Sequence, residues 1–232
     1  MKQKAFTLAE VLITLGIVGI VAAMTIPNLI GNYRKKIVET RLQRFYSVAN
    51  NALKYSETEN GSWDFWYFGT EATISETKKW YDTYLAKYWK TIKTEVISGG
   101  YVAAYFPDGS LVIIKSGKDY FYYPEAKKYT ESNFSRRKYM GRDLFLFCFE
   151  PGRTNQLHYK KGIQPYLAHK TTTDSNGNII DTGKIEFTLD ELYNDPLRGC
   201  RNNPTSSTTG AYCTQIIFQN GWKIPENYPF KF

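Results

Sequence analysis

The chain has 232 residues, a formal net charge of +8 and 19 tyrosines within an aromatic share of 16%. It holds no internal repeat and no low-complexity segment, and its length accommodates one or two domains with a real core. Two histidines, His158 and His169, and three cysteines without a Cys-x-x-Cys spacing argue against a metal centre, while the basic balance suggests contact with nucleic acid, an anionic surface or an acidic polymer.

The first thirty residues organise the rest. Lys2 and Lys4 precede an apolar run with one acid, Glu10, and no charge from Val11 to Met24. Phe6 to Ile30 is long enough to span a bilayer, which needs roughly 20 residues at about 1.5 Å rise each. A carboxylate in the bilayer core costs on the order of 2.5–3.5 kcal/mol on insertion scales, so Glu10 is expected to mark a partner or a function. Phe6 and Glu10 are four residues apart and share one helix face. By composition alone, a secretory signal cut after Ala23 and an uncut signal anchor stay open as alternatives. Arg34, Lys35 and Lys36 follow the span on the side expected to lie outside, against the positive-inside tendency.

The string Lys4-Ala5-Phe6-Thr7-Leu8-Ala9-Glu10, running directly into Val11-Leu12-Ile13, resembles the class III signal of type IV pilins and type II secretion pseudopilins. The resemblance implies cleavage between Ala5 and Phe6 by a prepilin peptidase and N-methylation of Phe6; the residue before the cut is usually Gly, and here it is Ala5. It implies assembly roles for Glu10 and for Pro27 near the membrane exit. It also implies partners: other pilin or pseudopilin subunits through the N-terminal helix, an inner-membrane platform, an ATPase, and the membrane itself before assembly. The implied location is the bacterial inner membrane, single-pass with an extracytoplasmic head, and then a pilus or pseudopilus filament. Cleavage would create an amine at Phe6 that the Glu10 carboxylate can neutralise, within one chain or between neighbours.

Apolar residues continue at Ile30, Tyr33, Ile37, Leu42, Phe45, Ala49 and Leu53, mostly three or four apart, as an amphipathic helix requires. Pro27 removes one backbone donor within it. Asn60-Gly61 closes the pattern, which gives one helix over about residues 7–57. The chain divides into a leader (1–5), a long helix (6–57, with 6–30 transmembrane) and a globular head (58–232). The fold class is α+β and pilin-like: a long N-terminal helix packed on an antiparallel β-sheet head with a loop-rich C-terminal region.

In the head, Ser75 to Ile97 has helical spacing at Trp80, Tyr84, Leu85, Tyr88 and Ile92, ended by Gly99-Gly100. Tyr101 to Phe106, the turn Pro107-Asp108-Gly109-Ser110, Leu111 to Lys115, and Tyr120 to Tyr123 predict a three-stranded antiparallel meander. Gly141-Arg142-Asp143-Leu144-Phe145-Leu146-Phe147 resembles a Gly-x-Asp-x-Phe-x-Phe strand of pseudopilin heads, with Asp143 as a strand-edge acceptor. The loop before it departs from the family pattern: Arg136, Arg137 and Lys138 stand where calcium-binding heads carry acids. Asp174 to Asn178 resembles part of an oxygen-rich, cation-binding turn but lacks the later bidentate Glu of an EF-hand, so a plain β-turn is the favoured reading and a cation the alternative. Ile185 to Leu189 fits a strand or a helix start, and Tyr212 to Phe218 predicts a last strand. The Pro-rich tail from Gly221 is expected against the surface. The tyrosines fit either half-wet contact faces or a Tyr-rich sheet.

A secreted domain is expected to oxidise a cysteine pair. Cys200 and Cys213 flank a polar loop and form the preferred disulfide; pairing of Cys148 with Cys200 stays open, and Cys148 in its apolar run reads as a buried free thiol.

The function that follows is a structural subunit, of minor type given the large head, in a pilus or a protein-secretion pseudopilus. The second class is a binding module on a filament, for DNA or a surface ligand. Arg136, Arg137, Lys138 and Arg142, with Lys127 and Lys128, interleave with Tyr129, Phe134 and Tyr139 as cations and stacking aromatics do in single-strand sites. The third, an anchored enzyme, lacks a nucleophile elbow, a phosphate loop and a metal motif. No catalytic residue, metal ligand or cofactor is assigned.

Overall fold

Thr7, three residues before Glu10, starts the longest element of the computed structural model, which describes residues 7–67, 74–151, 157–158 and 160–232. The Thr7 hydroxyl accepts from the Glu10 N–H at 3.3 Å, and the Glu10 carboxylate accepts from the Thr7 N–H at 2.8 Å and its hydroxyl at 2.7 Å. This reciprocal capping box satisfies donors that a helix start leaves open. Helix α1 (Leu8–Asn60) then runs 53 residues, about 80 Å at 1.5 Å per residue, without a break at Pro27. Gly61 ends it, a few residues beyond the expected end at residue 57.

From Val38 onward α1 buries one stripe: Val38, Leu42, Phe45, Ala49, Ala52, Leu53 and Ser56. Steps of three and four keep these residues on one face. That face lies on a six-stranded antiparallel sheet in the order β1 (Lys93–Ile97), β2 (Tyr101–Tyr105), β3 (Leu111–Lys115), β4 (Asp119–Tyr123), β5 (Phe145–Cys148) and β6 (Gln164–Pro165). The predicted meander is its centre, with Val102 opposite Ile114 and Ile114 opposite Tyr120.

Alternation sorts the strands into two layers. Val102, Ala104, Val112, Ile114, Tyr120, Tyr122, Phe145 and Phe147 join the α1 stripe, together with Trp80 and Tyr81 of helix α2 (Ile74–Tyr84). Ala103, Leu111, Ile113, Phe121, Tyr123 and Leu146 face the other way, under Phe134 of α3 (Glu131–Ser135) and Met140. Both faces are covered, so the central strands read as continuous apolar runs. The tyrosines resolve accordingly: Tyr120, Tyr122, Tyr123 and Tyr212 are fully buried, and the Tyr122 hydroxyl donates to the Arg41 carbonyl at 3.1 Å.

Two elements differ from expectation. The helix of 75–97 stops at Tyr84, and Lys93–Ile97 is strand β1, paired with β2. Gly99 and Gly100 therefore make a hairpin turn, not a helix stop; both have positive φ, 78° and 76°, which glycine adopts without strain. The predicted last strand, Tyr212 to Phe218, is helix α5 (Cys213–Gln219). Cys213, Ile216 and Ile217 are buried at helical spacing, and the Thr214 hydroxyl accepts from the Leu146 N–H at 3.1 Å, which ties α5 to β5. The Gly141–Phe147 strand is shorter than expected, because β5 begins at Phe145 and a turn precedes it.

Asp174 to Asn178 is the turn between β7 (Thr171–Thr173) and β8 (Ile179–Asp181); the Asp174 carboxylate accepts from the Asn176 and Asn178 N–H groups at 2.9 and 2.8 Å. Helix α4 (Leu189–Asn194) starts at the Thr188 cap, so Ile185 to Leu189 leads into a helix start. The tail packs deeper than a surface strap: Trp222, Ile224 and Tyr228 are buried in the main core. The buried Glu39 of α1 accepts from the Ile224 N–H at 3.0 Å.

Candidate functional site

The side chains of the outer half of α1 are largely exposed among the described residues. Leu12 and Ile13 are 60% and 63% exposed, and Ile17 and Val18 are 58% and 63% exposed. Adjacent residues point in different directions on a helix, so this segment is apolar around its whole circumference. Val11 to Tyr33 carries no charge and is about 35 Å long, slightly more than a bilayer's hydrocarbon core. It is the chain's one candidate membrane span among the described residues.

At its start, the Glu10 carboxylate takes both of its bonds from Thr7, and both go to Oε2 among the described residues. Ala5 and Phe6, the residues of the expected cut, lie outside the described residues. Pro27 sits inside the continuous helix.

At its end, the head takes hold. The Arg34 guanidinium, the first charge after the span, donates to Glu125 at 2.8 Å and also to Asp143. Asp143 is buried and pairs in addition with Arg142 at 2.7 Å; Glu125 pairs with Lys127 at 3.0 Å. Burial alone would raise the Glu125 carboxyl, but hydrogen bonds from Arg34 and then Lys127 hold it below the usual carboxylate range. Burial alone would lower Arg34, and Glu125 and Asp143 together keep it raised. The cation that follows the span is thus a clamp for the head. Asp143 belongs to this clamp, not to a strand edge. No sequence signal pairs these residues, which lie 91 and 109 positions apart.

The expected nucleic-acid cations do not form one open row. Arg137 is packed over Phe134 and Phe121, 4.0 and 4.1 Å from their ring centres, and donates to the Phe134 carbonyl at 2.7 Å. Arg142 and Lys138 both lie over Tyr139, at 4.1 and 4.8 Å. Arg136 is exposed.

Cys200 and Cys213 are bonded, with Cα atoms 4.7 Å apart, and tie the loop after α4 to the start of α5. Cys148 is free and buried, its Sγ 3.4 Å from His158 Nε2. Burial pushes the thiol well up and the imidazole down, so both are held neutral. No group of three or more His, Cys, Asp or Glu residues suited to a metal occurs among the described residues.

The prokaryotic N-terminal methylation motif matches residues 1–26, and a family of unknown function (DUF6613) matches residues 28–232. The two matches meet where α1 approaches the head. No curated protein and no solved structure matches the chain. The matched signal is that of type IV pilins and pseudopilins, and with it the long helix and antiparallel sheet make this a pilin-like subunit. Residues 28–232 place the chain in the DUF6613 family, carried behind a class III pilin-type signal.

Proposed function

We propose that the protein is a minor, structural subunit of a type IV pilus or a type II secretion pseudopilus, assembled through its N-terminal helix. The observation that carries this is the outer half of α1, apolar on every side and directly continuous with the methylation motif. In this reading a prepilin peptidase removes residues 1–5 and methylates Phe6. The span 6–30 first lies in the bacterial inner membrane, with the head, residues 58–232, on the extracytoplasmic side. The inner-membrane platform then passes the chain to neighbouring subunits. Leaving lipid exposes no polar backbone, because α1 satisfies its own hydrogen bonds and exchanges lipid for other apolar helices. Glu10 stands four positions beyond the new Phe6 amine in the sequence, and a carboxylate with several acceptor positions can serve that amine besides Thr7. The head's disulfide suits an oxidising compartment.

The test is the intact mass of the protein isolated from its native membrane. A species beginning at methylated Phe6 is expected. One beginning at Met24, the product of an ordinary secretory cut after Ala23, overturns the reading. So does one beginning at Met1 in cells whose prepilin peptidase is active.

A further inference from the structure

We propose that the base of the head is a docking surface for anionic phospholipid headgroups of the leaflet from which α1 emerges. This rests on α1 being a membrane span. The structure fixes which part of the head lies at the end of that span. Arg34 follows the uncharged run directly, and its two ion pairs hold the loops of Glu125 and Asp143 beside it. The carbonyl oxygen of Phe232 stands 3.0 Å from the point a Cβ on Gly31 would occupy, so the tail lies at the same level.

Cations cluster at that level. Lys127 extends from Glu125 with three-quarters of its side chain in solvent. Arg142 extends from Asp143, and Lys138 shares the Tyr139 ring with it. Lys35 follows Arg34 on the helix, and Lys231 is exposed in the tail. The acids of these contacts are all paired: Glu125 with Arg34 and Lys127, Asp143 with Arg34 and Arg142, and Glu39 with Lys223. Three cations against Glu125 and Asp143 leave this cluster net positive, and Lys138, Lys35 and Lys231 add to it. Tyr139 keeps a positive φ of 63° and is 38% exposed between its two cations, and Tyr33 is 68% exposed at the last uncharged turn. Tyrosine flanked by lysine and arginine at the end of an apolar helix matches the chemistry of the headgroup layer. Nucleic acid offers the same phosphates, but it has no reason to meet these cations at the membrane exit. The basic residues after the span, which oppose the positive-inside tendency, acquire a physical role: Arg34 clamps the head and its neighbours face lipid phosphate.

The experiment uses the full chain in lipid nanodiscs, of phosphatidylcholine alone or with roughly a third phosphatidylglycerol, read by amide hydrogen exchange. Residues 126–143 are expected to exchange about fivefold more slowly on anionic discs, the effect of one cation near such a surface. The protection should disappear in about 0.5 M salt, where screening acts within a few ångströms. It should also be smaller in Lys127→Gln and in Lys138→Gln, and absent when the two are combined. Equal exchange on both discs overturns the inference. So does equal or stronger protection of 126–143 by a single-stranded oligonucleotide on zwitterionic discs at matched phosphate, which would assign the surface to nucleic acid. Residues 11–30 report separately: protected there in both discs, α1 spans and only the docking surface is at issue; exchanging freely in both, the membrane reading itself fails.

Discussion

Residues 11–30 and 38–56 belong to one unbroken helix, yet their side chains meet opposite surroundings. In the first stretch Leu15, Ile20 and Leu29 are mostly exposed; in the second Leu42, Ala49 and Leu53 are fully buried. The backbone is the same, and so is the rule of three and four residues per contact. What differs is the width of the apolar face. The inner half has one stripe, flanked by polar groups that the head receives: Arg41 donates to the Pro124 carbonyl, and Asn50 exchanges two hydrogen bonds with Ile163, at 2.9 and 3.0 Å. The outer half is apolar all round and lies on nothing among the described residues. A stripe specifies one partner surface inside the molecule. A full circumference specifies an apolar environment outside it.

The largest test of this contrast exchanges one large side chain in each half. Phe45 stacks on Tyr122 at 4.3 Å and meets Phe147 edge-on at 5.0 Å between ring centres. Phe45→Ala is expected to cost about 3–5 kcal/mol, the range for emptying an aromatic site in a core. Ile17→Ala should change head stability by no more than about 0.5 kcal/mol. Urea unfolding of the full chain in detergent micelles, followed by tryptophan fluorescence, measures both. Similar losses at the two sites would break the division between the halves.

Reducing the head's disulfide should again affect the inner half alone. The bond spans a separation of 13 residues, and opening a loop of that size costs about 3 kcal/mol in chain entropy. The paired Cys200→Ser and Cys213→Ser chain should therefore unfold at lower urea than the wild type, by an amount close to that of the wild type under reductant. A reductant effect that survives in the double variant would have to come from elsewhere.

The sequence makes the contrast between the halves legible and hides the clamp between them. Thr7, Glu10, the uncharged run and the later stripe are local, periodic signals, and the helix follows them to within a few residues of its ends. Asp108-Gly109 between two β-rich runs likewise places the β2–β3 hairpin. Short aromatic pieces are less decisive. Tyr212 to Phe218 fits a two-residue alternation and a helical turn almost equally, and contacts to Leu146 and the bond to Cys200 select the helix. Lys93 to Ile97 lies behind a run of Trp and Tyr that suits a helix face, but its β-branched Thr94, Val96 and Ile97 pair with β2. Arg34, Glu125 and Asp143 carry no local pattern at all. Their partnership exists only after the sheet brings residues about a hundred positions apart onto one end of the head.

Breaking that clamp sharpens the comparison at its boundary. Arg34→Met keeps the aliphatic stem and removes the guanidinium, leaving Glu125 with Lys127 and Asp143 with Arg142. The expected loss is about 2 kcal/mol at neutral pH, the scale of hydrogen bonds to charged groups in part-buried sites. Its pH dependence identifies the cause. Burial pushes the Glu125 carboxyl up, but the Arg34 and Lys127 hydrogen bonds outweigh it, and the folded pKa lies below the ordinary value. A depressed carboxylate contributes stability that is complete above its unfolded pKa, near ~4.3, and is lost as pH falls through the folded pKa. The gap between wild type and Arg34→Met should therefore be full above about pH 5 and narrow as pH falls below about 4, where the protonated acid no longer needs the cation. Urea midpoints of both chains across that interval measure it. A gap that stays constant with pH would mean that Arg34 holds the head by packing and not by charge, and the boundary between the two halves would then be apolar on both sides.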